Sequence, residues 1–387
     1  VNQTPLEYLF SLEFFGIKFG LEHIRAILDG LGHPENAFRS VHVAGTNGKG
    51  SVTAMIDAAL GAAGHRSARY TSPHLVHLTE RFVVDGQQTT EDELSRAVDR
   101  IRTVIVDLQR RGVLDVHPTF FEVTTAAAFE IFRNASVEVA VCEVGLGGRL
   151  DATNVLSPMV TAITSIALDH QQYLGTSIAE IAGEKGGIIK KGVPVVVGPL
   201  VIDADRVIRD IAQERDAPLI RAYEGVAVEP LPAPSRAGQA IRLRTPRRNY
   251  GAIALHLEGR HQIDNAVVAV RVLECLDESG LAVSQEAIIE GLAHVRWPGR
   301  LEHVRLAGGR SALLDAAHNP AGAEALAAFL AQRDVRQPLV FAAMRDKDAQ
   351  GILTALLPHI SSLIVTRATT ARSADIQTLL EMASALA

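Results

Sequence analysis

Apolar positions along this chain fall into short runs that switch between a period of two and a period near 3.6. Val41, Val43 and Ala44 form a strand-like run, and a helix-like run follows from Val52 to about residue 63. A short strand is expected around Ala68 to Tyr70, ahead of the loop Thr71-Ser72-Pro73-His74. Between Glu91 and Arg111, Leu94, Val98, Ile101, Ile105 and Leu108 recur at helical spacing, with acidic residues first and basic ones last. That is a surface helix whose charges complement its dipole. Phe121 to Phe132 is alanine-rich and apolar on most faces, which predicts a buried helix. Val137, Val139 and Val141 alternate into a strand ending at Glu143.

From Pro194 to Leu257 the pattern breaks into short β-like runs interrupted at Leu231-Pro232-Ala233-Pro234 and Arg247-Arg248-Asn249-Tyr250-Gly251, and reads as a hairpin-bearing excursion within the first domain. A helix over about 262–276 follows. Arg296-Trp297-Pro298-Gly299-Arg300 then ends the periodicity. Strands near 311–315, 338–343 and 361–366, each followed by a helical run, resume beyond it. Alternating strands and helices predict an α/β protein with largely parallel sheets, divided into residues 1–295 and 296–387.

Composition narrows the class. With 387 residues, 47% apolar, 21% charged and a net charge of −6, the chain suits about two soluble domains and shows no bias towards nucleic acid or membrane. The two cysteines, Cys142 and Cys275, are far apart in apolar periodic segments, which argues against a disulfide framework and a thiolate metal site. A reducing cytoplasm is the expected location. The apolar start, Tyr8 to Phe15, is interrupted by Glu13 and is too short to span a bilayer.

Candidate chemistry begins at Gly45-Thr46-Asn47-Gly48-Lys49-Gly50-Ser51, between the first strand and its helix. Glycines let backbone amides turn toward a phosphate, and the following helix aims its unpaired N–H groups at it. Lys49 adds a charge on the outer phosphates, and Ser51 offers a hydroxyl to magnesium. The loop departs from the usual G-x-x-x-x-G-K-[ST] spacing, with two residues between Gly45 and Gly48 and with Gly50 inserted after Lys49. The competing reading is a glycine-rich turn with an incidental lysine.

Two further clusters follow strands, where ligands collect in open α/β sheets. Glu143-Val144-Gly145-Leu146-Gly147-Gly148-Arg149-Leu150-Asp151-Ala152-Thr153-Asn154 puts Glu143 at a strand end, suited to the magnesium a nucleotide brings; the alternative is a surface turn with a Glu143–Arg149 ion pair. Thr164-Ser165-Ile166-Ala167 leads into Asp169-His170, and Glu184-Lys185-Gly186-Gly187 comes next. His170 is either a ligand near a second magnesium or a structural histidine. Lys185 is either a phosphate contact or a solvated helix lysine.

Nine motifs, in order over almost the whole chain, resemble one family: the phosphate loop; Ser72-Pro73-His74-Leu75 with Glu80-Arg81; Thr119-Phe120-Phe121-Glu122; the loop from Glu143 to Asn154; Ser165-Ile166-Ala167-Leu168-Asp169-His170; Glu184-Lys185; His261-Gln262 with Asn265-Ala266; Trp297-Pro298-Gly299-Arg300; and Asp315-Ala316-Ala317-His318-Asn319-Pro320. They are similar to the folylpolyglutamate synthase/dihydrofolate synthase branch of the Mur-ligase superfamily. The resemblance implies an N-terminal Mur-ligase-type P-loop ATPase domain and a smaller Rossmann-like C-terminal ligase domain. It implies a monomer whose partners are ATP, L-glutamate and a folate or pteroate. The folate carboxylate attacks the γ-phosphate, and glutamate captures the acyl phosphate.

By the same resemblance, Thr46 to Ser51, Asn265, Arg300 and Asp315 bind ATP, and Ser51, Ser72, Glu143 and His170 surround magnesium. The family counterpart of Lys185 is carbamylated, which makes it an oxygen ligand for a second magnesium. Lys49, His170, Lys185 and His318 are the candidate catalytic residues, with His318 near the incoming glutamate. Phe121, Arg149 and Asp151 look like pterin- or pteroate-side contacts, with ordinary core as the alternative for Phe121. The chain departs from the pattern in the signature Asp315-Ala316-Ala317-His318, which carries alanine where many relatives have glycine. It also stops at Ala387, after a helix, where relatives continue through another strand, so the second domain is expected to lack a βα unit and to leave apolar faces uncovered. A peptidoglycan-precursor ligase, a cyanophycin-type ligase and an ATP-binding regulatory module are the rival readings. The first two call for additional domains, and the third leaves Glu143, His170, Asp315 and His318 without a task.

Overall fold

The computed structural model describes residues 3–16, 19–232, 238–370 and 372–386. Ala233, Pro234 and Ala387, and the side chains of Phe14 and Phe15, lie outside these residues. Helix α1 (Pro5–Ser11) opens with a reciprocal Thr4–Glu7 cap, and α2 (Glu22–Gly30) precedes β1 (Arg39–Ala44). Then come α3 (Lys49–Ala62), β2 (Ser67–Tyr70), β3 (Phe82–Val84) and β4 (Gln87–Gln88). The expected surface helix is α4 (Glu91–Arg110), capped by Thr90 and Glu93, and the expected buried helix is α5 (Phe120–Asn134), capped by Thr119 and Glu122. Strands β5 (Val139–Glu143) and β6 (Val160–Ile163) lead to α6 (Gln171–Leu174) and α7 (Ile178–Gly186).

Next are β7 (Val195–Val197), α8 (Ile202–Glu214) and β8 (Leu219–Arg221). Helix α8 corrects the β-like reading of this stretch. It buries Ala204, Ile208 and Ala212 at helical spacing, but starts with the exposed pair Val201 and Ile202 beside a valine-rich strand, which hides its period. Strands β9 (Ala227–Leu231), β10 (Gln239–Arg244) and β11 (Asn249–Leu255) form a separate antiparallel sheet containing the expected hairpin. Helices α9 (Arg260–Glu278) and α10 (Gln285–His294) follow.

The main sheet runs β4-β3-β2-β5-β1-β6-β7-β8, parallel from β2 to β8, with β3 and β4 antiparallel at one edge. Strands β5 and β6 are buried throughout and β1 from Ser40 onward, as expected for a parallel sheet covered on both faces. On one side pack α3, α9, α10 and the three-stranded sheet. On the other, α1, α2, α4 and α5 share one cluster and α7 and α8 another. The register pairs Val43 with both Glu143 and Ala162, so the loops after β1, β5 and β6 leave the sheet at one level.

The remaining elements are β12 (Glu302–Arg305), β13 (Ser311–Leu314), α11 (Pro320–Leu330), β14 (Gln337–Phe341), α12 (Ala349–Leu356), β15 (Ile360–Val365) and α13 (Ile376–Leu386). They enclose their own core around Leu326, Phe341, Ile352, Leu353 and Leu379. The three expected βα units are present as β13-α11, β14-α12 and β15-α13, with β14 and β15 parallel; β12, which was not expected, pairs antiparallel with β13. Leu314, Val340 and Ile364 point away from this core and are 47%, 63% and 54% exposed, an apolar outer strand face. Among the described residues no helix is long and apolar enough to cross a membrane.

Candidate active site

The shared strand-end level gathers the candidate residues around one cavity of about 420 Å³. Its floor is the loop between β1 and α3. Gly45 and Gly48 have φ values of 151° and 84°, and a side chain on either would run into Thr164 or Asn265. Glycine is therefore required twice over, by conformation and by space. The loop is braced from β6: Thr46 N donates to Ser165 O (2.7 Å), Ala167 N donates to Thr46 Oγ1 (3.0 Å), and Thr164 Oγ1 donates to Asn47 O (2.6 Å). Helix α3 begins at Lys49, three residues before the expected start, so the first-turn N–H groups of Lys49, Gly50 and Ser51 open on the cavity.

Lys49 Nζ donates to Thr46 O (3.1 Å) and lies 4.0 Å from Glu143 Oε1. Glu143 is buried, which raises its pKa, against the pull of Lys49. Ser72 N donates to its other oxygen (3.2 Å). Ser51 accepts from Gln262 Nε2 (3.2 Å), and Gln262 accepts in turn from Asn265 Nδ2 (2.9 Å), which ties α9 to the loop. Among the described residues no three His, Cys, Asp or Glu side chains form a metal cluster. Magnesium needs none when nucleotide phosphates and water complete its shell. The hard oxygen donors Ser51, Ser72 and Glu143, all lining the cavity beside the phosphate loop, fit that mode.

Lys185 is not a solvated lysine. It is 5% exposed and donates to Gly45 O (2.9 Å), and burial, followed by repulsion from Lys49, lowers its pKa to about 7. His170 has a left-handed backbone (φ 50°), and burial lowers its pKa to about 4, so the ring is neutral near pH 7. Arg300, Asp315 and His318 enter the cavity from beyond α10. Asp315 is anchored by the N–H groups of Leu301 (3.0 Å) and Ala317 (2.9 Å). His318 Nδ1 donates to Ala316 O at 3.0 Å, leaving Nε2 3.8 Å from Asp169 Oδ2.

Phe121, Arg149 and Asp151 do not line this cavity. Phe121 lies directly over Gly145, where no side chain would fit, and its ring centroid is 6.1 Å from that of Tyr70. Arg149 pairs with Glu184 (2.8 Å), and so displaces the alternative pairing with Glu143. Asp151 is buried and accepts from Leu146 N (2.8 Å) and Thr153 N (3.0 Å). Its carboxylate therefore braces the loop after β5.

A family model for the Mur ligase middle domain matches residues 43–273, and one for the Mur ligase glutamate ligase domain matches residues 299–387. The dihydrofolate synthase/folylpolyglutamate synthase of Bacillus subtilis is 39% identical over 349 residues, covering 88% of this chain and 79% of that protein. The chain belongs to the folylpolyglutamate synthase/dihydrofolate synthase family of Mur ligases. The Mycobacterium tuberculosis folylpolyglutamate synthase, solved with ADP and AMPPCP, superposes with a TM-score of 0.89 at 37% identity, covering 99% of this chain and 86% of the other. Escherichia coli FolC in complex with DHPP and ADP gives 0.85 at 31% identity, covering 99% and 88%.

Within this Mur-ligase architecture, three polar groups were not singled out from the sequence. Asp169 accepts from Lys347 Nζ (2.8 Å) and Asn319 Nδ2 (3.0 Å), and Asn319 exchanges two hydrogen bonds with Asn47 of the phosphate loop (3.0 and 3.2 Å). Asp169 and Asn319 stood inside recognised motifs. Lys347 had no local signal at all, because its partner is 178 residues away.

Proposed function

We propose that this chain is an ATP-dependent carboxylate–amine ligase that adds L-glutamate to the terminal carboxylate of folates through an acyl phosphate. The observation that carries the reading is a phosphate loop facing, across one cavity, the Asp315–His318 segment from the part of the chain matched as a glutamate ligase domain. A carboxylate is a poor acyl donor until it is phosphorylated. Phosphoryl transfer needs positioning and cationic screening. Lys49 and the first-turn amides of α3 screen the phosphate oxygens. Asn265, Arg300 and Asp315 hold the rest of the nucleotide. Glu143, Ser51 and Ser72 take up magnesium, which adds charge screening when bound, and His170 lies beside them.

The neutral amine that burial favours on Lys185 is the form that adds carbon dioxide, which supports carbamylation there. Closure of the two parts of the chain that line the cavity would keep water from the acyl phosphate. The glutamate amine then displaces phosphate at the acyl carbon and loses a proton, with His318 beside the incoming amine. Phe121 serves the folate side through its ring, and Arg149 and Asp151 through the loop they hold. Residues 1–295 act as the ATP-binding domain and 296–387 as the ligase domain, in a monomeric cytoplasmic protein.

The test is magnesium- and ATP-dependent phosphate release with L-glutamate, comparing tetrahydrofolate, methylenetetrahydrofolate and dihydropteroate as acceptors, with the amide product confirmed by mass. Turnover with a folate is expected, and turnover with dihydropteroate as well assigns both family activities. A protein that binds ADP but ligates none of the three overturns the folate reading in favour of another carboxylate acceptor or a regulatory module.

A further inference from the structure

The one tryptophan of the chain, Trp297, does not line the cavity, yet it lies on the phosphate loop. A Cβ built on Gly50 would fall 2.5 Å from Trp297 Cζ2, 3.0 Å from Cε2 and 3.2 Å from Nε1. Gly50 is absent from the positive-φ residues, so this glycine supplies space for an indole and not conformational freedom. The extra glycine between Lys49 and Ser51 thereby acquires a physical reason. The indole is held in turn. The Arg69 guanidinium carbon lies 5.6 Å from its ring centroid, and Arg69 Nη1 donates to Asp57 Oδ2 (2.8 Å). Asp57 is buried, also accepts from Ser67 Oγ (2.6 Å), and stands two turns beyond Gly50 on the same face of α3.

The segment after α10 is pinned at both ends. Gly291 of α10 leaves no room for a side chain against the Ala59 backbone (2.5 Å), and Trp297 sits on Gly50. Three residues past the indole, Arg300 enters the cavity. We propose that Trp297, braced by Arg69 and Asp57, is a positioning residue for the nucleotide: it fixes the first turn of α3 and Arg300 in one frame, so that both reach the same phosphates. This inference rests on the ligase reading above. It implies that nucleotide occupancy alters the surroundings of the indole, and that loss of the indole acts on ATP more than on the other substrates.

Because Trp297 is the only tryptophan, intrinsic fluorescence excited beyond tyrosine absorption reports on this contact alone. Titration of the wild-type protein with ADP is expected to give a saturable change in emission whose midpoint matches the calorimetric Kd. Trp297→Ala is expected to raise the KM for ATP about tenfold, with the KM values for folate and glutamate within about twofold. Trp297→Phe recovers most of the loss, and Arg69→Met gives a smaller shift in the same direction. A silent indole in a protein that binds ADP, or an unchanged ATP KM in the folded variants, overturns the inference alone. A uniform loss across all three substrates assigns Trp297 to the core and also overturns it. If Trp297→Ala does not fold, the wild-type titration and Arg69→Met decide. Wild-type protein that neither binds ADP nor turns over overturns the ligase reading, and this inference with it.

Discussion

Lys185 is a cation in surroundings that disfavour one: it is buried and repelled by Lys49, against which stands one hydrogen bond to Gly45 O (2.9 Å). Its folded pKa of about 7 lies below the ordinary 10.5, so between these values the unfolded chain binds a proton that the folded chain does not. Stability therefore rises with pH across that window. In bicarbonate-free buffer, urea denaturation between about pH 7 and 10 is expected to show this rise in the wild-type protein and a flatter profile in Lys185→Met. Identical profiles would place the ammonium in a solvated site. Local pattern placed the lysine on a helix but left its depth open, since burial follows from the loop after β5 folding over α7 and from the phosphate loop at Gly45.

That seam belongs to the scale of elements. Arg149 N donates to Glu184 O (2.8 Å), and a Cβ on Gly148 would fall 2.8 and 2.9 Å from the carbonyl oxygens of Glu184 and Lys185. The loop after β5 and the last turn of α7 touch backbone to backbone. Gly148→Ala is expected to cost about 1–3 kcal/mol in chemical denaturation, because neither backbone can yield cheaply. Ligase activity should fall further than stability, since Lys185 moves with the carbonyl at its own position. A variant as stable and active as wild type would mean that the seam is loose. Helix α4 was legible because its apolar spacing and its acidic-to-basic charge order agreed, and α5 because its alanine-rich run is apolar on most faces. Helix α8 was not, because its exposed apolar start imitated a strand.

At the scale of the whole molecule, a latch joins the two parts of the chain: Lys347 and Asn319 from one side hold Asp169 and Asn47 from the other. Burial pushes the Asp169 carboxyl up, but hydrogen bonds from Lys347 and Asn319 outweigh it and hold the pKa near 2, below the ordinary 3.8. A carboxylate depressed in this way contributes stability that is complete above the ordinary value and lost as pH falls through about 2. Small-angle scattering of the wild-type protein should therefore be constant from neutral pH to about pH 5. Lys347→Met leaves Asp169 without its cation, and is expected to enlarge the radius of gyration and lower kcat about tenfold or more. Unchanged scattering and turnover would show that the halves are held elsewhere. The sequence by itself determined the α/β class, the phosphate loop and the strand-end position of Glu143, because each follows from local period, turn chemistry and chain order; His170, expected at a strand end, instead precedes α6, seven residues past the end of β6. Only the tertiary structure decided the burial of Lys185, the bracing role of Asp151, the seat of Trp297 on Gly50 and the latch through Lys347. Apart from Asp151, whose partners Leu146 and Thr153 are local but leave no periodic signal, these depend on residues far apart in the chain meeting in space, and local periodicity carries no record of such meetings.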